Sequence, residues 1–173
     1  ADNEKFLREL AFIQDARIVA SIDPTDSNGV IMNIQWKDIF PFGGSGNIGS
    51  IQSFNAEINH NNIFGLGDKI QINALYDFDR RPLAATGFEY IKRNFMGSFL
   101  NLTFGIDKIK PAFNSGRREE YARYIKGDLP LVSPYHSFTG GFEFGTYASS
   151  NTYNTRLPYQ HMYKYAYGMM DGW

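Results

Sequence analysis

The amino-acid sequence predicts an all-β protein, an antiparallel up-and-down transmembrane β-barrel that is present only in part, as about six or seven strands. Its long segments alternate polar and apolar residues with the period of two that a β-strand requires. Several segments reach ~10 residues, the length with which a tilted strand crosses a bilayer. The fifteen phenylalanines and eleven tyrosines exceed the needs of a soluble domain, and aromatic girdles at the membrane interfaces would account for them.

Composition excludes several classes of function. Seventeen basic and eighteen acidic side chains leave a formal charge of -1, so we predict no nucleic-acid partner. The absence of cysteine rules out disulfides and thiolate metal sites. No apolar run suits a transmembrane helix, whereas alternating barrel strands are compatible with the mean hydropathy of -0.36. Residues 1–5 do not resemble a signal peptide, so we expect an exported chain that is processed or truncated.

The first forty residues predict a helix followed by a β-hairpin. Residues 4–10 have the pattern of a helix end, and residues 16–22 form a β-branched strand. Turn-forming residues follow at 23–29, where Asn28 and Gly29 supply the positive φ angles of a hairpin turn. Residues 30–36 alternate again, so the predicted order is helix, strand, turn and strand.

A glycine-rich stretch separates this part from the rest of the chain. Pro41 and the residues up to Asn47 interrupt the pattern and are interpreted as a linker at 41–47. Beyond the linker the sequence predicts strands instead of helices. The six predicted strands cover residues 48–60, 69–79, 86–92, 96–108, 119–126 and 137–147, with a further strand from Tyr159 as a seventh.

Each predicted strand has one apolar face and one small or polar face. In the second strand the even-numbered residues from Ile70 to Phe78 are apolar, and the odd-numbered residues from Gln71 to Asp79 are polar except Leu75. In a soluble sandwich the apolar face would be the core. In a membrane barrel it would face lipid, while the polar face lines a wet lumen. Alternation alone does not separate these two architectures.

A motif near residue 65 resembles that of a known family. Residues 61–69 read Asn-Asn-Ile-Phe-Gly-Leu-Gly-Asp-Lys, and Asn62, Phe64, Gly65 and Gly67 match an Asn-Leu-Phe-Gly-x-Gly turn. That turn joins the first two barrel strands of the POTRA-plus-barrel outer-membrane superfamily, the bacterial surface antigen family, which includes BamA, TamA and the two-partner secretion transporters. Residues 87–95 and 124–131 resemble its strands that run into short periplasmic turns, the second of them before Ser133.

This resemblance implies a domain plan. Residues 1–40 are similar to the C-terminal half of a POTRA domain, an α+β periplasmic module, and residues 48–173 to the N-terminal strands of an outer-membrane β-barrel. The family's barrel has sixteen strands, so six or seven cannot close it, and the arginine-bearing motif of its late strands has no counterpart here. We therefore expect a barrel fragment in the bacterial outer membrane, with its first part in the periplasm.

The implied activity is outer-membrane protein assembly or secretion by strand-edge templating, without catalysis, cofactor or metal ion. The POTRA strand edge at residues 16–36 and the first barrel strand would bind an unfolded polypeptide by β-augmentation. The expected partners are outer-membrane lipid, an unfolded outer-membrane or secreted polypeptide, and other envelope proteins or the remainder of the barrel. The predicted edge residues are Ile48, Ser50, Gln52, Phe54, Ala56 and Ile58.

The other residues that could catalyse a reaction or bind a ligand are interpreted as structural. The histidines lack the spacing of a zinc site, and the carboxylate pairs at 77/79 and 119/120 lack the arrangement that glycosidases need. The arginine pairs at 80–81 and 117–118 are interpreted as solvated loop residues, with contact to lipopolysaccharide phosphates as the alternative. The tyrosines between 159 and 167 are interpreted as membrane-interface residues, with a carbohydrate platform as the alternative. The histidines are His60, His136 and His161.

Two other function classes are compatible with the sequence. A soluble periplasmic or surface β-sandwich could bind a glycan or a lipid, and it would fold as a monomer without detergent. A structural or porin-like barrel would share the membrane strands, but no POTRA half would precede them.

Overall fold

The computed structural model describes residues 2–26, 28–131, 139–153 and 164–172. Within these ranges the protein is all-β, with antiparallel sheets and one short α-helix, which confirms the predicted all-β class. No helix in the described ranges is long and apolar enough to cross a membrane. The chain divides into two compact units, which we call unit 1 (residues up to Pro41, with Leu131) and unit 2 (42–130 and 139 onward).

Unit 1 contains helix α1 (Asp2–Arg8) and a hairpin formed by β1 (Ile13–Ile22) and β2 (Val30–Asp38). The order is the one that the sequence predicts. Asp23 closes the connecting turn by accepting hydrogen bonds from the hydroxyl (2.6 Å) and the N–H (2.7 Å) of Thr25. These hydrogen bonds lower the pKa of the Asp23 carboxyl below its ordinary value.

Unit 2 is an eight-stranded antiparallel sheet in which each strand pairs with the next along the chain. Within the described residues β3 pairs only with β4 and β10 only with β9, so the sheet has two open edges. A 3-10 turn at Phe95–Gly97 separates the fourth strand from the fifth. The strands are β3 (Phe42–Ser50), β4 (Ser53–Ile63), β5 (Asp68–Asp77), β6 (Ala84–Lys92), β7 (Asn101–Pro111), β8 (Arg118–Leu129), β9 (Gly140–Ser150) and β10 (Lys164–Gly172).

Three predictions about strand boundaries are wrong. The predicted linker at 41–47 belongs to β3, because pairing with β4 from Phe42–His60 onward provides a backbone ladder that glycines can join. The segment 48–60, predicted as one strand, turns at residues 51–52 and supplies the end of β3 and most of β4. The sheet therefore has eight strands instead of six or seven. The strand predicted from Met96 begins at Asn101, since Asn94 and Met96 have φ angles of 50° and 54°.

Hydrogen bonds across one face show that the unit 2 sheet is curled. The Arg118 guanidinium on β8 donates to the side-chain oxygen of Asn55 on β4, although three strands lie between them. On the same face the Tyr124 hydroxyl of β8 donates to Glu89 of β6. Side chains separated by three intervening strands can meet only when the sheet bends toward them. We call this concave surface the inner face and the opposite surface the outer face.

The faces have the reverse of the polarity expected for a soluble sheet. On β5 the apolar Ile72 points to the outer face and is 51% exposed. Leu75, the one apolar exception in the polar set of that strand, points to the inner face and is 1% exposed. Carboxylates are buried on the inner face, as Asp107 and Glu120 show. The residues that form the outer face across the sheet include Phe54, Ile58, Ile72, Tyr76, Phe88, Phe104, Ile106, Ile125 and Phe144.

Glycines make room for aromatic rings between neighbouring strands. The Tyr124 ring covers Gly105 on the inner face, and the Phe142 ring covers Gly127. A Cβ atom at either glycine would overlap the ring that lies over it. Both positions thus depend on the absence of a side chain.

Replacing Gly105 with alanine should lower the free energy of unfolding by about 1–3 kcal/mol, because the added Cβ would displace the buried Tyr124 ring. Gly46→Ala is the matched control, since the nearest atom to a Cβ there lies 3.7 Å away, at ordinary contact distance. Urea unfolding followed by circular dichroism measures both variants against the unmodified chain. Equal midpoints for the two variants would contradict the close packing at Gly105.

Candidate functional site

The outer face carries a continuous band of exposed apolar side chains. Ile58, Ile72, Phe88 and Ile106 are register partners on four consecutive strands, and each is at least 43% exposed. The next row toward the β4–β5 turn includes Phe104, Ile125 and Phe144. Contiguous exposed apolar surface marks a site of contact with lipid or with another protein. The outer face is therefore the first candidate functional surface.

The inner face is polar and internally hydrogen-bonded. Glu120, which is 3% exposed, accepts hydrogen bonds from the hydroxyls of Tyr165 (3.3 Å) and Tyr167 (3.2 Å). The Tyr167 ring stacks on Tyr147, with 5.0 Å between the ring centroids. Buried carboxylates need such donors because their desolvation is costly. The predicted tyrosine cluster thus contributes to the inner face, while its members Tyr159 and Tyr163 lie outside the described residues.

The four residues that match the family turn lie together between β4 and β5. The side-chain oxygen of Asn62 accepts a hydrogen bond from the N–H of Gly67 at 2.9 Å, which closes the turn. Phe64, Gly65 and Gly67 have φ angles of 54°, 73° and 76°, in the left-handed region that favours glycine. Phe64 adopts this region despite its Cβ, and its side chain is exposed. The spacing of the motif is thus explained by the geometry of the turn.

Asp68, directly after the turn, is a residue that sequence reasoning missed. Its carboxylate is 1% exposed and accepts hydrogen bonds from the Tyr90 hydroxyl (2.7 Å), the Lys92 ammonium (3.0 Å) and the Arg93 N–H (3.3 Å). Arg93 also donates to the backbone oxygen of Gly67 at 3.3 Å. Asp68 therefore joins the β4–β5 turn to the end of β6. The signal in the sequence was the acidic residue after Gly-x-Gly, which hairpin pairing places opposite Lys92 and Arg93.

Replacing Asp68 with asparagine should lower the free energy of unfolding by about 2 kcal/mol or more. The amide removes the ion pair with Lys92, and its NH2 group cannot accept from the donors that now converge on the carboxylate. Asp79→Asn, at an exposed carboxylate in the β5–β6 loop, is the charge-matched control. The measurement is the urea midpoint together with hydrogen exchange at the Arg93 amide. Unchanged protection of that amide in Asp68→Asn would refute the anchoring role.

The six predicted strand-edge residues do not lie on one edge. Ile48 and Ser50 lie on β3, which is an open edge of the sheet, and Gln52 lies in the turn after it. The other three lie on β4, which pairs with β3 on one side and β5 on the other: Phe54, Ala56 and Ile58. Their assignment to the edge is wrong because β3 begins earlier than predicted and covers β4. The open edge at this end of the described sheet is β3.

Part of the edge predicted at residues 16–36 is occupied by side chains. The Glu4 carboxylate of α1 accepts a hydrogen bond from the N–H of Ile18 at 2.7 Å, and Asp15 accepts one from the N–H of Ala16 at 2.9 Å. The bond from Ile18 lowers the pKa of Glu4 below its ordinary value. Two β1 amides therefore already have side-chain acceptors and are not free to bind an added strand.

In each of the two arginine pairs one arginine is not solvated, contrary to the prediction. Arg80 was interpreted as a solvated loop residue, but it is 4% exposed, and its guanidinium satisfies four backbone carbonyls. Arg118 reaches across the inner face to Asn55, so it is not a solvated residue either. Arg81 and Arg117 are exposed, as predicted. The carbonyls that Arg80 binds are those of Pro82, Ala84, Lys108 and Arg118.

The histidines and the carboxylate pairs that the structure describes do not come together as a catalytic or metal site. His60 packs its ring edge-on against Phe42, with 4.2 Å between the centroids, whereas His136 and His161 lie outside the described residues. Asp77 accepts from the Tyr153 hydroxyl at 3.2 Å, and Glu119 accepts from the Ser115 hydroxyl. In the ranges that the structure describes, no three histidines or carboxylates come together as a metal site.

The described geometry of unit 2 thus consists of an exposed apolar outer face, a polar inner face and two open edges. Comparison of the sequence with models of known protein families and with curated proteins gives no match. A functional assignment for this chain depends on its own residues and contacts.

Proposed function

We propose that unit 2 is part of a bacterial outer-membrane β-barrel, with its outer face in lipid and its inner face lining a hydrated interior. The observation that carries the proposal is the reversed polarity of the sheet. Ile72 and its register partners are exposed, whereas Asp107 and Glu120 are buried. A soluble sandwich would cover the apolar face with a second layer. Lipid contact gives exposed apolar side chains a favourable environment without such a layer.

The activity that we propose is outer-membrane protein assembly or secretion by strand-edge templating. Support comes from the open edge at β3, whose backbone groups need a partner strand because lipid does not satisfy them. An unfolded outer-membrane or secreted polypeptide can supply that strand by β-augmentation. Unit 1 would lie in the periplasm as the second half of a POTRA-like domain. Neither a catalytic step nor a cofactor is part of this proposal.

A structural or porin-like barrel is the alternative that shares the same two faces. It differs in the role of β3, which would then pair permanently with another strand of the barrel. The glycine content of β3 favours a strand that exchanges partners, because glycine contributes little side-chain packing to hold one partner. Two experiments separate the lipid environment from the templating activity.

The first experiment changes the polarity of the outer face. Ile72→Lys should lower the stability of the chain folded into lipid vesicles by about 2–4 kcal/mol, since a lysine would face the hydrocarbon. Gln71→Lys adds the same charge to the inner face beside its register partner Glu89 and should change stability little. Heat-modified gel mobility and urea titration in vesicles measure both variants. If the chain folds in plain buffer and Ile72→Lys changes stability by less than ~0.5 kcal/mol, the outer face is a water-exposed surface.

The second experiment tests the edge. The chain contains no cysteine, so single-cysteine variants report one position each. Ile48→Cys on β3 should form a disulfide with a urea-unfolded outer-membrane polypeptide that carries one cysteine in its last strand. Ile72→Cys, on a strand paired on both sides, should form several-fold less. Both variants are compared in vesicles by non-reducing gel electrophoresis. Equal adducts, or none from either folded variant, would remove the templating activity and leave the structural barrel.

A further inference from the structure

We propose that the outer face of unit 2 binds an anionic glycerophospholipid, with its phosphate at Arg123 and Lys108 and an acyl chain in the neighbouring apolar groove. This inference rests on the proposed lipid contact of the outer face. It goes further by assigning a specific site and a headgroup charge. Three observations carry it: an arginine within the apolar row, a second cation on the same surface, and an apolar groove that the arginine also lines.

Arg123 interrupts the apolar band of the outer face. Its register partners are Ile106 on β7 and Thr146 on β9, so it continues the row that begins at Ile72 and Phe88. The Nε atom donates to the Tyr121 hydroxyl, and the guanidinium carbon lies 5.0 Å from the centroid of the Tyr121 ring. Among the described residues no carboxylate forms an ion pair with Arg123, and its two terminal nitrogens make no hydrogen bond. They are available to a phosphate.

Lys108 supplies a second positive charge on the same surface. Ile106 pairs with Arg123 and Asp107 with Ala122, and Lys108 follows directly, at the start of the register shift that ends at the Lys110–Glu120 pair. Lys108 and Tyr121 line one shallow depression, and the Lys108 side chain is exposed. The ion pairs found within the described ranges do not include it. Two unneutralised cations therefore flank a tyrosine, the residue type that is enriched at membrane interfaces.

An acidic side chain on this surface, Glu119, already accepts hydrogen bonds from other groups. Glu119 precedes Tyr121 by two residues, so it projects to the same face of β8. One of its oxygens accepts from the Ser115 hydroxyl, and the other accepts from the N–H of Thr152 at 3.3 Å. Glu119 is buried, which keeps it in this arrangement. The two cations outnumber this one carboxylate, so the net positive charge of the surface favours an anion at Lys108 and Arg123.

An apolar groove of about 570 Å³ adjoins Arg123 on the outer face. Its volume is within the range of sites that bind small molecules. Arg123 is the one charged residue among those that line it, and the apolar lining includes Phe88, Phe104, Ile106, Ile125 and Phe144. An acyl chain fits this lining, while a free phosphate ion would leave the groove unfilled. A neutral lipid would leave both cations without a partner.

The chemistry of the two cations favours one phosphodiester. A guanidinium binds phosphate through two parallel N–H donors, and an ammonium acts beside it as a point charge. Together they match the single phosphate of a glycerophospholipid whose acyl chain follows the groove. The site thus combines headgroup charge with chain binding.

The experiment compares lipid adducts of the folded chain in neutral detergent by native mass spectrometry. The probes are dioleoyl phosphatidylglycerol and dioleoyl phosphatidylcholine, which share acyl chains and differ in headgroup charge. Lys108→Gln/Arg123→Gln should bind phosphatidylglycerol about tenfold or more weakly and leave phosphatidylcholine binding unchanged. Arg17→Gln/Lys37→Gln removes two exposed positive charges from unit 1 and should bind both lipids like the unmodified chain. Arg123→Lys should keep most of the preference.

The outcomes distinguish this site from the proposed function. If the double variant retains phosphatidylglycerol, or if the unmodified chain binds both lipids equally, the site is overturned while lipid contact of the outer face stands. If excess inorganic phosphate displaces phosphatidylglycerol, the cations bind free anions and the site is also overturned. If the chain folds without detergent and binds neither lipid, the proposed function fails as well. Should the double variant not fold, Lys108→Gln alone is expected to weaken phosphatidylglycerol binding measurably, and no weakening would overturn the site.

Discussion

The antiparallel backbone ladder is the constraint on which the rest of unit 2 depends. Each strand from β4 to β9 is paired on both sides, so the backbone hydrogen-bonding groups of its paired residues are satisfied within the sheet, and Arg80 binds the carbonyls of Ala84 and Lys108 beyond the β6–β7 ladder. Because these backbone groups do not need water, the side chains of one face can lie in an apolar environment. In the proposed lipid environment the apolar band from Ile58 to Ile106 can therefore remain uncovered by protein. Among the described residues the ladder stops at β3 and β10, and in the proposed lipid environment the same groups would need a partner strand there.

Because the sheet is curled, polar side chains on the inner face can bond to one another. Arg118 and Asn55 meet across three strands, and Tyr124 reaches Glu89 across one, so polar side chains find partners among themselves. Glycines at the crossing points, such as Gly105, allow the rings to lie flat against the strands. The buried polar groups and the exposed apolar groups are thus two consequences of one curvature. Together they leave Leu75 as the rare apolar side chain that is fully enclosed.

The sequence predicted the all-β class, the initial helix and hairpin, and the polarity of each strand face, because these depend on local periodicity. It did not predict β3, since Gly43, Gly44 and Gly46 carry no side-chain pattern and become a strand only through pairing with β4. Arg80 and Asp68 were missed for a related reason. Their partners on other strands, such as the Lys108 carbonyl and the Tyr90 hydroxyl, are distant in sequence and meet only in the sheet. Arg123 could be recognised as a cation within the apolar row only after the register placed it beside Ile106.

The number of strands in unit 2 has a consequence for how its edges can be completed. With eight strands in strict alternation, β3 and β10 run in opposite directions. The two edges can therefore meet each other, or be bridged by any even number of additional strands, without a single parallel junction. An odd number would force one parallel pair into the ring, and bacterial barrels of one chain avoid this by having even strand numbers. Parity thus makes the described sheet compatible with antiparallel rings of several circumferences, should its two edges be joined.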